Sequence, residues 1–251
     1  AELIDQHNLL TAVTVDGFAS TAPLRKLVEQ YMGREVLDAI ATEYRKGRIL
    51  LIGTTNLDAN RPVLWRIGRI ATSESPQRLR LFHDVLIASA SIPIAFSPVY
   101  IEAVGQDGMV YDEMHVDGGA TSQISLYPLG IDWGKVLEKM EVPGAPKLFL
   151  INNGKLEPTW SAVDTGNLAE IGTRTIFSAI RSQGIGDLFR LYIGALRDGL
   201  EYHLASVPAD FNAESREHFD PIYMSKLFDL GYEMAVAGYT WARHPPGYNP
   251  E

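Results

Sequence analysis

Residues 111–128 read YDEMHVDGGATSQISLYP. Asp117 closes an apolar strand-like run and is followed at once by Gly118 and Gly119. Glycines at that point allow a sharp turn and the close approach of another group. A carboxylate beside such a turn has three possible uses: a base, a metal ligand or a helix cap. His115 and Asp117 point to the same face of a strand, because side chains alternate. That makes them the start of a two-ligand metal site, or an Asp oriented by a His. The plainer alternative is a His that caps the strand end.

A base needs a nucleophile. The G-x-S-x-G elbow of an α/β hydrolase occurs nowhere in the chain, since no glycine is followed two residues later by serine. In GFAST, residues 17–21, Ser20 comes one place late, and it reads as a cap for the helix starting near Pro23. Ser89 and Ser91 stand where a helix ends against Pro93, where small residues favour close packing or bring polar groups beside the strand carrying Asp117. None of the three serines lies in a strained elbow. There is no dinucleotide fingerprint and no P-loop string. The six histidines form no H-x-x-x-H pair, and EMHVDGG lacks the carboxylate density of a calcium loop. No metal and no cofactor is expected.

The elements that must position Asp117 follow from periodicity. Residues 22–46 are helical, punctuated by Gly33. Ile49, Leu50, Leu51 and Ile52 form a continuous apolar run, as in a strand buried on both faces. PVLWRIGRIA, 62–71, reads as the next strand. QRLRLFHDVLIASASIP is a helix ending before Pro93. PVYIEAV and MVYDEMHVD flank QDG as a hairpin whose second strand delivers Asp117. APKLFLINN is a further strand. Residues 167–205 read as helical, with breaks at Gly184 and Gly186. SKLFDLGYEMAVAGYTWAR is a last amphipathic helix, and HPPGYNPE a tail with no core-forming pattern. Strands alternating with helices over the first 155 residues make an α/β layered domain with helices on both faces of the sheet and a helical C-terminal part. No linker interrupts residues 1–251, which read as a single domain.

Composition narrows the function. Apolar residues are 46% and charged residues 21% of the 251, the mix of a globular protein with a sizeable core. The net charge of −9 argues against nucleic acid and gives no general attraction to anionic membranes. The absence of cysteine excludes disulfides, thiolate metal sites and cysteine nucleophiles, and leaves the compartment open. No apolar run reaches the ~18 residues that span a bilayer.

Three segments, in order, resemble the patatin-like phospholipase family of lipid acyl hydrolases. RILLIGTTNLDANRPVLWRIGRIA is similar to its central strand and sequel. VLIASASIPIAFSPV is similar to its A-S-x-A-x-P-x-x-F-x-P segment, with Ile92 where a small residue often stands. VDGG, 116–119, is similar to its D-G-[GA] motif. TAPLRKLVEQYM resembles the stretch after the nucleophile helix, and FDPIYMSKLFDLGYEMA the C-terminal helix of bacterial members. The family's Gly-rich oxyanion loop and G-x-S-x-G elbow are not in these residues. The resemblance therefore implies the C-terminal portion of a patatin-like protein, a domain incomplete at its N-terminal side.

The resemblance also implies a mechanism. A Ser–Asp dyad hydrolyses lipid or small esters, with Asp117 as general base and Gly118 and Gly119 permitting close approach of the serine loop. The serine would come from an N-terminal fragment or segment outside this sequence, and this chain alone would be inactive. Losing that section would expose sheet edges, which favours a partner chain or a dimer. Peripheral membrane contact is compatible with such a substrate. The alternative is a non-catalytic lipid-binding or protein-interaction module derived from such an enzyme. Phe177, Leu188, Phe189, Tyr192 and Leu196 are either an acyl site or plain helix core.

Overall fold

The computed structural model describes residues 5–6, 19–93, 95–121, 133–139, 144–157, 160, 162–163, 166, 168–215 and 220–249. The chain divides into two compact units, Glu2–Leu126 and Tyr127–Glu251. Each is a mixture of helix and strand, so the α/β class expected from the sequence is what the chain adopts.

In the first unit a short pair, β1 (Asp5–Gln6) and β2 (Ala19–Ser20), precedes helices α1 (Ala22–Tyr31) and α2 (Arg34–Arg45). Next come β3 (Leu51–Asn56), β4 (Arg61–Arg66), α3 (Ile67–Ala71), α4 (Arg78–Ala88), β5 (Val99–Val104) and β6 (Val110–Asp117). The four longer strands form one antiparallel sheet in the order β4-β3-β6-β5. The expected hairpin is β5–β6, turned at Gly108 with φ +78. The stretch read as one strand, 62–71, is strand only to Arg66 and then turns helical.

Leu37 and Ala41 lie four residues apart on α2 and are both buried, as one face of a helix must be. They meet Ile67, Ala71, Phe82, Val85, Ile87, Ala88, Val99 and Ile101 in a continuous core between three helices and the sheet. Each of the larger side chains among them contributes about 1.5–3 kcal/mol on burial, and each alanine less.

β3 departs from expectation. Ile49 and Leu50 precede the strand and are exposed, whereas Thr54, Thr55 and Asn56 are fully buried. The cause is registry. Residues 51–53 pair with β4 alone, while 54–56 have β4 on one side and β6 on the other.

The second unit holds α5 (Trp133–Lys139), β7 (Lys147–Lys155), α6 (Leu168–Asp198), β8 (Glu201–Val207) and α7 (Pro221–Val236). β7 and β8 pair in parallel, so α6 is the crossover of a β-α-β unit. Gly184 and Gly186 do not break α6. Two helical glycines cost about 1 kcal/mol each relative to alanine. Burial of Leu188, Leu191, Tyr192 and Ala195 along one stripe outweighs that. The helix stops instead at Gly199, whose φ of +70 suits a left-handed cap. Residues 201–205, read as helix from the sequence, therefore belong to the strand β8. Asp220 caps α7 by accepting from the N–H groups of Ile222 and Tyr223, and the helix ends at Val236, before the Gly238 turn. The tail also packs: Tyr248 and His244 lie against Tyr192, at 5.2 and 5.6 Å between ring centres.

Candidate functional site

Asp117 sits where β6 passes into a single 3-10 turn, Gly118–Ala120. Its backbone is fixed on both sides. Its N–H donates to the Ser91 carbonyl at 2.9 Å, and its own carbonyl accepts from Thr55 Oγ1 at 3.0 Å. The Thr55 hydroxyl also bonds the Thr121 hydroxyl at 2.8 Å, tying the far end of the turn to β3.

The carboxyl has one oxygen engaged. Oδ1 accepts from the Gly119 N–H at 2.6 Å. Among the described residues Oδ2 has no hydrogen-bond partner and no cation faces the group. Burial pushes the Asp117 carboxyl above its ordinary range, opposed only by the Gly119 N–H. Asp117 is thus both the cap of its turn and a half-buried acid with one oxygen open.

Gly118 earns its place by contact. A Cβ there would lie 2.8 Å from the carbonyl carbon and oxygen of Gly53. The close approach it permits is to the backbone of β3.

The face of the sheet that carries Asp117 also carries Ile52, Thr54, Asn56, Trp65 and His115, by registry. The expected common face of His115 and Asp117 therefore holds, but His115 neither caps the strand end nor orients Asp117. It is fully buried, with Nδ1 3.0 Å from Thr54 Oγ1. Trp65 Nε1, which can only donate, gives its proton to the same Thr54 oxygen at 2.8 Å. The Thr54 hydroxyl thus bonds both Trp65 and His115 Nδ1, and the other ring nitrogen, Nε2, lies 3.5 Å from Glu113 Oε2. Burial lowers the His115 pKa, with Glu113 and Asp58 opposing. His115 is a neutral structural residue. Among the described residues no cluster of His, Asp and Glu could hold a metal ion.

Ser91 is buried and its hydroxyl donates to the Ile87 carbonyl at 2.9 Å; that of Ser89 donates to Leu86 at 2.9 Å. Both satisfy the end of α4. Ser20 is not the N-cap of α1, a position Thr21 holds; it stands one residue earlier, and its oxygen accepts from the Ala22 N–H at 3.1 Å. The buried Thr54–Thr55 pair and Trp65 escape sequence reading; polar β-branched residues inside a strand run are their one trace. Of the aromatic and apolar residues on α6, Leu188 and Tyr192 are buried, while Phe177 and Leu196 are exposed.

The first unit is thus a mixed α/β architecture with a half-buried acid at a D-G-G turn. The family model of the patatin-like phospholipases matches residues 4–129, half of the chain. The chain belongs to the patatin-like phospholipase family, and lipid acyl hydrolysis is the chemistry that family suggests. The segment 219–235 lies outside the matched span. No curated protein matches the chain.

Proposed function

We propose that Asp117 is the general base of a Ser–Asp dyad in a lipid acyl hydrolase, and that the serine comes from a segment or chain outside these 251 residues. The observation that supports this reading is the Asp117 carboxyl itself. It is half-buried, held by one N–H on Oδ1, and among the described residues has no partner on Oδ2. An acid raised toward the working pH is a better proton acceptor than a fully solvated one. Fixed backbone contacts to Ser91 and Thr55 hold it in one pose. Among the described residues the hydroxyls of Ser89 and Ser91 are spent on helix carbonyls, and no G-x-S-x-G string occurs in the sequence.

In the proposed reaction the serine hydroxyl attacks the ester carbonyl while Asp117 Oδ2 takes its proton. The proton then passes to the leaving alcohol. Water, deprotonated by the same carboxylate, releases the acid and restores the serine.

The test is p-nitrophenyl ester hydrolysis by the chain alone and with the upstream segment present. Activity is expected only with the segment, and Asp117→Ala should lower it by about 10²-fold or more. Strong activity from this chain alone that survives Asp117→Ala refutes the assignment.

A further inference from the structure

A second site lies within the Glu2–Leu126 unit, apart from Asp117. A cavity of about 310 Å³ opens between the edge strand β5 and the connection from α3 to α4. Ile101 is in its wall and pairs with Glu113, four residues along β6 from Asp117. At 3.3 Å per residue that is about 13 Å.

Some of the charges around the cavity are already spent. Arg78 donates to the Ala71 carbonyl at 2.6 Å and to Asp38 at 3.0 Å. Asp84 is buried and is engaged by Arg25 at 2.8 Å and, more loosely, by Arg80 at 3.6 Å. Arg69 and Glu102 line the same cavity, and among the described residues neither side chain has an ion-pair or hydrogen-bond partner. They do not pair with each other. A free cation and a free carboxylate that share a cavity without meeting suit a ligand that carries both charges.

The two walls say which end goes where. On the α3–α4 side, Ser73 Oγ accepts the Ser75 N–H and Ser75 Oγ accepts the Gln77 N–H, each at 3.2 Å. Each hydroxyl keeps its own proton to donate. With the Arg69 guanidinium they form a wall of donors, which suits the several oxygens of a phosphate. On the β5 side, Tyr100 and Glu102 stand two residues apart and project the same way. An exposed aromatic ring beside a carboxylate suits an ammonium group. A cavity of about 150 Å³ holds the six carbons of benzene, so this one has room for about a dozen non-hydrogen atoms.

We propose that this cavity binds a phosphorylated amino alcohol, with its phosphate toward Arg69, Ser73 and Ser75 and its ammonium toward Tyr100 and Glu102. A free phosphoamine and a zwitterionic lipid headgroup share that chemistry. The site stands whatever the role of Asp117.

Calorimetric titration of the full chain with O-phosphoethanolamine should give saturable binding, with inorganic phosphate and ethanolamine each about tenfold weaker or more. Arg69→Gln should weaken phosphoethanolamine and inorganic phosphate alike, by about tenfold. Glu102→Gln should weaken phosphoethanolamine about as much and leave inorganic phosphate undiminished. Both side chains are exposed, so both variants should melt with the wild type. Asp117→Asn should bind phosphoethanolamine as the wild type does. Phosphatidylcholine vesicles separate the two sources: cosedimentation that Arg69→Gln abolishes assigns the headgroup, and vesicles left unbound assign the free compound. No saturable binding, inorganic phosphate held as tightly as phosphoethanolamine, or undiminished phosphoethanolamine binding in either variant overturns the proposal.

Discussion

Gly118→Ala should damage the chain where Gly53→Ala does not, although the two glycines face each other. The Cβ of an alanine at 118 would sit 2.8 Å from the Gly53 carbonyl carbon and oxygen and 3.3 Å from its Cα. That is about 0.7 Å inside the ~3.5 Å at which carbon atoms normally touch. The obstacle is backbone, pinned by pairing of Gly53 with Leu64 and of the adjacent Thr54 with Asp117. Neither wall can yield without breaking sheet hydrogen bonds, so the cost should be that of overpacking, about 1–3 kcal/mol. At Gly53 the new Cβ meets only Leu64 Cδ2, at 3.8 Å, an ordinary contact. Alanine there also removes a strand glycine, so the change should be neutral or slightly stabilising, within about 0.5 kcal/mol. Urea unfolding of the full chain measures both as midpoint shifts at constant slope. Equal tolerance at the two positions, or a larger loss at 53, would refute the close approach of the D-G-G turn to β3.

Three further outcomes follow from the same contacts. Burial holds the folded-state pKa of Asp117 above its unfolded value, so its favourable contribution is present below about pH 4 and is lost as the pH rises through the elevated folded value. Asp117→Asn should therefore melt higher than wild type at pH 7, with the gap closing in acid; a gap that widens in acid contradicts the desolvated carboxyl. Thr54→Val keeps the shape but strands the Trp65 N–H and His115 Nδ1, and should cost about 2 kcal/mol or more in thermal unfolding. Asp220→Ala removes the cap that takes the Ile222 and Tyr223 N–H groups, and should cost about 0.5–2 kcal/mol, read by helical circular dichroism during the melt.

The hairpin delivering Asp117, the paired helices split at Gly33 and the helix ending near Ser89 were legible because each depends on local periodicity and turn chemistry. What depended on partners distant in the chain was not. Ile49 to Ile52 look like buried strand, yet burial falls on Thr54 to Asn56, because β6 covers only that end of β3. Gly184 and Gly186 look like breaks, yet packing of the Leu188–Ala195 stripe carries the helix through them. The candidate acid was found by its motif and its glycines. Its contacts to Ser91 and Thr55, the neutral His115 and the cavity between β5 and the α3–α4 connection come from residues far apart in the chain.

The central claim is that Asp117 serves a serine outside these residues. A fluorophosphonate probe, which marks activated serines covalently, reads this directly. With the chain alone no serine should be labelled. With the upstream segment present, one serine of that segment should be labelled, and Asp117→Asn should slow the labelling by about 10²-fold or more. Labelling of Ser20, Ser89 or Ser91 in the chain alone, or labelling indifferent to Asp117→Asn, would contradict the account.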